Sequence, residues 1–313
     1  MGVSEQKDIQ APGMCGDGGM KDRKVSIKDF GKVYRKGMSH SEFLGILPDT
    51  LAARDLKEIA YRIVDARKNK RPVILGMGAH VIKVGLSPLI INMMERGFIS
   101  CIAMNGAGAI HDVEIAEWGK TSEDVEIGLQ NGTFGMERDA AEIINSAVKA
   151  AAPDLGMGAA IGTALLQRDP IYKKMSLLTM AQIFMVPVTV HVSIGTDTIH
   201  MHPSFCGAAT GKASHNDFKR LARFVAHLEG GVFLNVGSAV ILPEIFLKAL
   251  NLARNSGAKV ENLTTVNMDF IRHYRPSVNV VERPTALGGK GFHLIGHHEI
   301  MLPLLAAAII EDM

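Results

Sequence analysis

Histidines are the first residues in this 313-residue chain placed to do chemistry. His200 and His202 stand two apart in the polar stretch 193–203, so in an extended segment both imidazoles share one side. They could bind a metal there, with His297, His298 or Asp197 as third ligand, or act as hydrogen-bonding and proton-transfer groups in a polar pocket. Lys290 is flanked by Gly288, Gly289 and Gly291, on an approachable backbone. Its ammonium is either a solvated charge, a phosphate contact or an amine nucleophile. Small residues also collect after apolar runs: Gly76, Gly78 and His80 after Pro72–Leu75, the stretch Asn105, Gly106, Gly108, His111 and Asp112 after Ile99–Met104, and Gly237 with Ser238 after Val232–Val236. Loops of that kind let a ligand approach the backbone; the bland alternative for 105–112 is a tight turn with Asp112 at the surface. A further cluster, Gly156 to Gly162, has a dinucleotide-fingerprint look, but Ala150–Pro153 precedes it where a strand is required. A Gly/Ala helix packed closely on a neighbour accounts for it better.

Alternating helices and strands must position these groups. Leu56, Ile59, Ile63 and Val64 form one helical stripe, and the buried-type runs at 72–76, 99–104, 188–192, 232–236 and 264–268 are each preceded by helical pattern. Two more short runs, 278–281 and 292–295, lead to a final apolar helix at 300–310. The alternation predicts an α/β fold, a doubly wound, mostly parallel sheet with helices on both faces, which gathers the glycine-bearing loops at one edge. Residues 1–30 read as an irregular N-terminal arm and 31–313 as a single domain.

Composition excludes several classes. With 34 Lys and Arg against 32 Asp and Glu, the chain has a net charge of +2 and no basic block suited to nucleic acid. Three cysteines without CxxC spacing give no disulfide framework or structural zinc site, which suits a cytoplasmic location. No run is long and apolar enough for a signal peptide or a membrane span.

Taken in order, these segments resemble the deoxyhypusine synthase family from about Arg71 to the C-terminus. The specific pieces are Val73–Gly76 with the helix start Gly85–Ile90, Met94–Phe98 before the 105–112 stretch, Val186–Val188 with Gly195–Asp197, and Met301–Leu305. The resemblance implies a Rossmann-like, NAD-binding homotetramer with active sites at subunit interfaces. It implies that NAD oxidises spermidine, and that an enzyme lysine captures the aminobutyl group as an imine before passing it to a lysine of a translation factor. Carried onto this chain, Gly76, Gly78, His80, Asn105, Gly106, Gly108, Asp112, Thr196, Asp197, Gly237 and Ser238 would hold NAD, and Lys290, His111, Glu244 and His297 would do the chemistry. The departures are specific. The family lysine follows a tryptophan, whereas Trp118 is the only one here; Leu242-Pro-Glu244 replaces a histidine pair, and His297-His298 replaces an aspartate. A polycation site wants carboxylates, and imidazoles in their place point to the alternative of an NAD- or metal-dependent enzyme of the same fold acting on another small molecule. A nucleotide-binding oligomer without catalysis is the third reading.

Overall fold

The computed structural model describes residues 25–123, 125–132 and 138–312. Most of the expected N-terminal arm lies outside them; of the rest, Ile27–Asp29 forms one 3₁₀ turn. Six strands, β1 Val73–Met77, β2 Cys101–Asn105, β3 Val188–His191, β4 Val232–Val236, β5 Thr264–Asp269 and β6 Lys290–Ile295, form one sheet in the order β3-β2-β1-β4-β5-β6. Every neighbouring pair is parallel. This is the Rossmann order, in which the chain reverses its winding between β1 and β4.

Both sheet faces are covered, so the strands carry apolar residues on both sides. Val73, Leu75 and Met77 join one core with Ile59 and Ile63 of the helix Leu51–Lys68 and Leu305 of the helix His298–Glu311. Ile74, Cys101 and Phe233 join the other, where Phe233 stacks on Phe246 of the helix Ile241–Asn255 with ring centroids 3.7 Å apart. Gly76 belongs to this packing. It lies inside β1, and a Cβ there would come within 2.9 Å of Phe233 Cζ, so its missing side chain makes room for a core ring.

One element differs from expectation. The run Val278–Val281 is helical, within a π-helical segment Ser277–Glu282. Neighbouring parallel strands cannot be joined by a hairpin and need a crossover; this segment, between β5 and β6, supplies it. The Gly/Ala segment behaves as read: in the helix Met157–Arg168, a Cβ on Gly158 would meet the Val188 carbonyl oxygen at 2.1 Å, and one on Gly162 the Leu178 oxygen at 2.8 Å.

A buried carboxylate ties that helix to the sheet edge. Asp217, on the helix Gly207–Val225, accepts hydrogen bonds from Gly158 N (2.9 Å) and from Val190 N of edge strand β3 (2.8 Å). Burial pushes its carboxyl up to about 7 despite these donors, and Oδ1, which has no partner, is free to carry the proton. Between pH 4 and 7 the native state therefore holds a proton that the unfolded chain releases, so this group's contribution to stability falls as pH rises through that window. Asp217→Ala should lower the unfolding free energy, read from urea titration, by about 2–4 kcal/mol by leaving two buried N–H groups unpaired. Asp217→Asn should cost less and remove this component of the pH dependence of unfolding, measured between pH 4 and 8.

Candidate functional site

The carboxyl ends of β1, β4, β5 and β6 converge where the winding reverses. Past the strand ends, Gly78 N donates to Val236 O (2.9 Å) and Gly237 N to Met268 O (3.0 Å), extending the ladder by one step. The two loops then touch: a Cβ on Gly78 would lie 2.2 Å from the Gly237 carbonyl oxygen. Gly237 has φ +67°, and a Cβ on it would lie 2.7 Å from His298 Cε1. Glycine is required at both positions by close approach, and at Gly237 by backbone conformation as well.

His298 opens the last helix and is buried against this contact. Its Nε2 faces Met268 O at 3.4 Å and Asp269 Oδ1 at 3.9 Å, while Nδ1 is buried without a partner. A neutral imidazole with its hydrogen on Nε2 satisfies the carbonyl and leaves Nδ1 as a bare acceptor. Burial lowers the His298 pKa below the usual imidazole value, as does neighbouring His80, whereas Asp269 and the Met268 carbonyl oppose the shift. Around it stand exposed rings: His80 has its centroid 5.7 Å from His298, and Phe270 lies 6.1 Å from His298 and stacks at 12° on His297, 6.2 Å away. Beneath, Asn235 donates to Ser238 O (2.9 Å) and to Asn267 Oδ1 (2.7 Å), both asparagines being fully buried. Ser238 Oγ accepts from Leu242 N at 3.2 Å and so caps the helix Ile241–Asn255.

A second polar group lies at the ends of β2 and β3. Asn105 is the N-cap of the helix Gly106–Trp118, its Oδ1 accepting from Gly108 N at 2.9 Å. The carboxylate of Asp197 covers Gly106 so closely that a Cβ there would meet Oδ2 at 2.1 Å. His200 Nδ1 accepts from Gly195 N (3.1 Å) and Asp197 N (3.2 Å), which turns Nε2 towards Asp197 Oδ2 at 3.9 Å. Burial raises the Asp197 pKa, and His200 and His111 oppose that shift. His111 Nδ1 is shared between Thr121 Oγ1 (2.6 Å) and Glu114 (3.2 Å). Thr196 Oγ1 donates to Ser193 O within an exposed turn (2.7 Å).

Several expected site residues are committed elsewhere. Asp112 is no surface residue: its carboxylate accepts from Ser176 Oγ (2.6 Å), Leu177 N (2.7 Å) and Leu178 N (2.9 Å), capping the helix Leu177–Phe184, and burial pushes its pKa up to about 6. Glu244 is half-exposed and bound by Lys248, Asn279 (2.9 Å) and Arg275 (3.4 Å). Lys290 begins β6, with Nζ 2.6 Å from Glu58 Oε1. A six-residue strand rising about 3.3 Å per residue leaves it about 17 Å from the carboxyl edge. The histidines of the metal alternative are not brought together. Thr198–His200 is a 3₁₀ turn, not an extended segment, His202 Nδ1 pairs with Ser204 Oγ at 2.7 Å, and His298 stands at the other group. Among the described residues no three His, Cys, Asp or Glu side chains gather around a metal position.

Asp269, Phe270, Asn235 and Asn267 escaped the sequence reading, which looked for glycines after strands. Asp269 and Phe270 follow the apolar run 264–268 directly, so position after a strand was their available signal.

No protein-family model matches the sequence, and no curated protein matches it at a significant level. Solved structures match in fold. A chain assigned as an LOR/SDH protein, from Methanococcus maripaludis S2, superposes with a TM-score of 0.55 at 16% identity, over 84% of this chain and 71% of its own. AgrE, in its ternary complex with ornithine and NAD+, superposes with a TM-score of 0.51 at 13% identity over 82% of this chain, which spans only 33% of AgrE. A chain assigned as a deoxyhypusine synthase, from Entamoeba histolytica, has a TM-score of 0.48 at 9% identity, too loose an overlay to carry an argument. These superpositions show the fold, a mostly parallel Rossmann-like α/β sheet.

The geometry makes His298 a neutral base at neutral pH. In a histidine-resolved NMR titration its imidazole should titrate below the ordinary value near 6.5, and Asp269→Asn should lower it further by removing the larger of the two charges, Asp269 and Glu299, that favour the cation. An unshifted His298 would contradict the geometry.

Proposed function

We propose that this chain is an NAD-dependent enzyme acting on a small molecule at the junction of β1 and β4, with His298 as its acid–base residue. The buried His298, wedged against Gly237 with Nδ1 unpartnered, is the observation that carries this reading. A bound nicotinamide would supply a hydride acceptor. The chain would contribute backbone approach at Gly78, Ala79, Gly237 and Ser238, exposed ring faces at Phe270 and His297, and a proton acceptor at His298 Nδ1. AgrE, a third of which shares this fold, forms a ternary complex with ornithine and NAD+, which supports the cofactor class.

The other helix start suits a dinucleotide poorly. A pyrophosphate would normally use bare N–H groups there, but Asn105 and Asp197 already cover the first turn of Gly106–Trp118. Of the residues expected to hold the cofactor, Gly78 and Gly237 are therefore retained in this reading and Asn105–Asp112 are not. Aminobutyl transfer from a polyamine to a translation-factor lysine needs an amine nucleophile at this edge, and Lys290 is held by Glu58 at the opposite one. A different small molecule, transformed by imidazole acid–base chemistry, is the better fit. Exposed Ile194, Val240, Phe270, Ile271 and Ile300 rim the same edge and suit its closure by a second copy of the chain in an oligomer.

NAD+ binding by calorimetry tests the reading. Phe270→Ala, at an exposed position, should weaken binding at least fivefold without lowering the melting temperature, while His298→Gln should retain binding. Absence of binding at millimolar NAD+, or indifference to Phe270→Ala, would sink the proposal. Borohydride reduction with NAD+ and spermidine should leave Lys290 unlabelled; an adduct there would restore the imine mechanism.

A further inference from the structure

Lys212, Asn216, Lys219, Arg220 and Arg223 fall on the helix Gly207–Val225 at spacings of 4, 3, 1 and 3. That series is one face of a helix. It spans about 17 Å at 1.5 Å per residue and carries four cations. The opposite face, with Ala213, Leu221 and Val225, is buried. Asn216 donates to the carbonyls of Pro153 and Leu155, both at 3.0 Å, and so fixes a wall against which the four cations line a concavity. Arg223 also lines a second, adjoining concavity with Lys70, Arg71 and His227, just before β1.

Among the described residues none of the four helix cations forms an ion pair, although Lys57, Arg62, Arg168, Lys173, Lys248, Lys259, Arg275 and Lys290 all do. The single carboxylate on the wall is Asp154, and the nearby Asp217 is turned into the core. The helix dipole favours a cation in the last turn, which accounts for Arg223 but not for Lys212 in the second turn, where it is opposed. A protein with a net charge of only +2 thus concentrates unneutralised cations along one track.

We infer that this track is a binding site for a condensed phosphate chain, separate from the site at the β1–β4 junction. Two lysines and two arginines in a row match a row of phosphate oxygens, with the arginines able to take two each. Nucleic acid is the less suitable occupant, because single strands need a succession of exposed aromatic platforms, whereas Phe218 packs against the core and Phe224, packed there in part, is the one phenylalanine lining the adjoining concavity.

Calorimetry of the full chain with inorganic tripolyphosphate, orthophosphate and a single-stranded RNA at low salt tests this. Saturable binding of tripolyphosphate at least tenfold tighter than orthophosphate is expected. It should weaken at least tenfold in the double variant Lys219→Gln, Arg223→Gln and stay unchanged in Lys259→Gln, with NAD+ binding equal in all three proteins. Both altered side chains are exposed, and an unchanged melting temperature would confirm folding. No saturable tripolyphosphate binding, equal affinity in the double variant, or tighter binding of RNA would each overturn the inference.

Discussion

The carbonyl of Gly237 and the α-carbon of Gly78 approach so closely that no side chain fits between them, and the geometry of the site follows from that contact. Parallel β1 and β4 are each other's neighbours but wind outward in opposite directions, so their loops leave the sheet together and would splay without a backbone contact. Two glycines let them stay in register one step past the strands. His298 is then pressed against Gly237, and its imidazole can face the Met268 carbonyl and Asp269 only because that loop is in place. A side chain at Gly237 would collide with the histidine, and one at Gly78 with the Gly237 backbone that supports it.

Buried polar groups elsewhere divide into those that hold the fold and those with spare capacity. Asp112 and Asp217 both have burial-raised pKa values, yet each spends oxygens on backbone N–H groups of another element. They behave as caps, and their perturbed titration is a consequence of structure. Asp217 Oδ1 and His298 Nδ1 are both unpartnered, but the imidazole lies at the strand ends beside the rings of His80 and Phe270, and an unpaired buried acceptor costs stability unless something uses it. The Asp197–His200 pair is intermediate: Asp197 Oδ2 and His200 Nε2 are unpartnered but face each other at 3.9 Å over the first turn of Gly106–Trp118. There the carboxylate complements the positive end of the helix, as a ligand's phosphate would.

Much of this architecture was legible in the residues. The runs at 72–76, 99–104, 188–192 and 232–236 became strands because β-rich apolar segments buried on both faces leave a signal independent of their neighbours. Val278–Val281 carries the same local signal and is helical, since the demand for a crossover between β5 and β6 is a property of topology. The glycine-bearing loops lie at one edge of the sheet, but a glycine's reason is not written in its name: Gly76 accommodates a core phenylalanine, Gly78 a neighbouring backbone and Gly106 a carboxylate. Lys290 shows the limit most clearly. Its flanking glycines suggested access, while its distance from the site depended on which end of β6 it occupied.

Charge placement follows from the same distinction between sequence order and surface. The basic residues at 212, 219, 220 and 223 are interrupted by apolar residues and by Asp217, so they form no continuous block along the chain. Helical winding turns Asp217 inward and the four cations outward, gathering dispersed charges onto one face. Desolvation makes burying Asp217 costly unless its N–H partners and proton compensate. The helix therefore meets two electrostatic demands at once: an inward acid that secures β3, and an outward row of cations left without counterions. Like charges so placed repel one another, and a bound anion would relieve that repulsion.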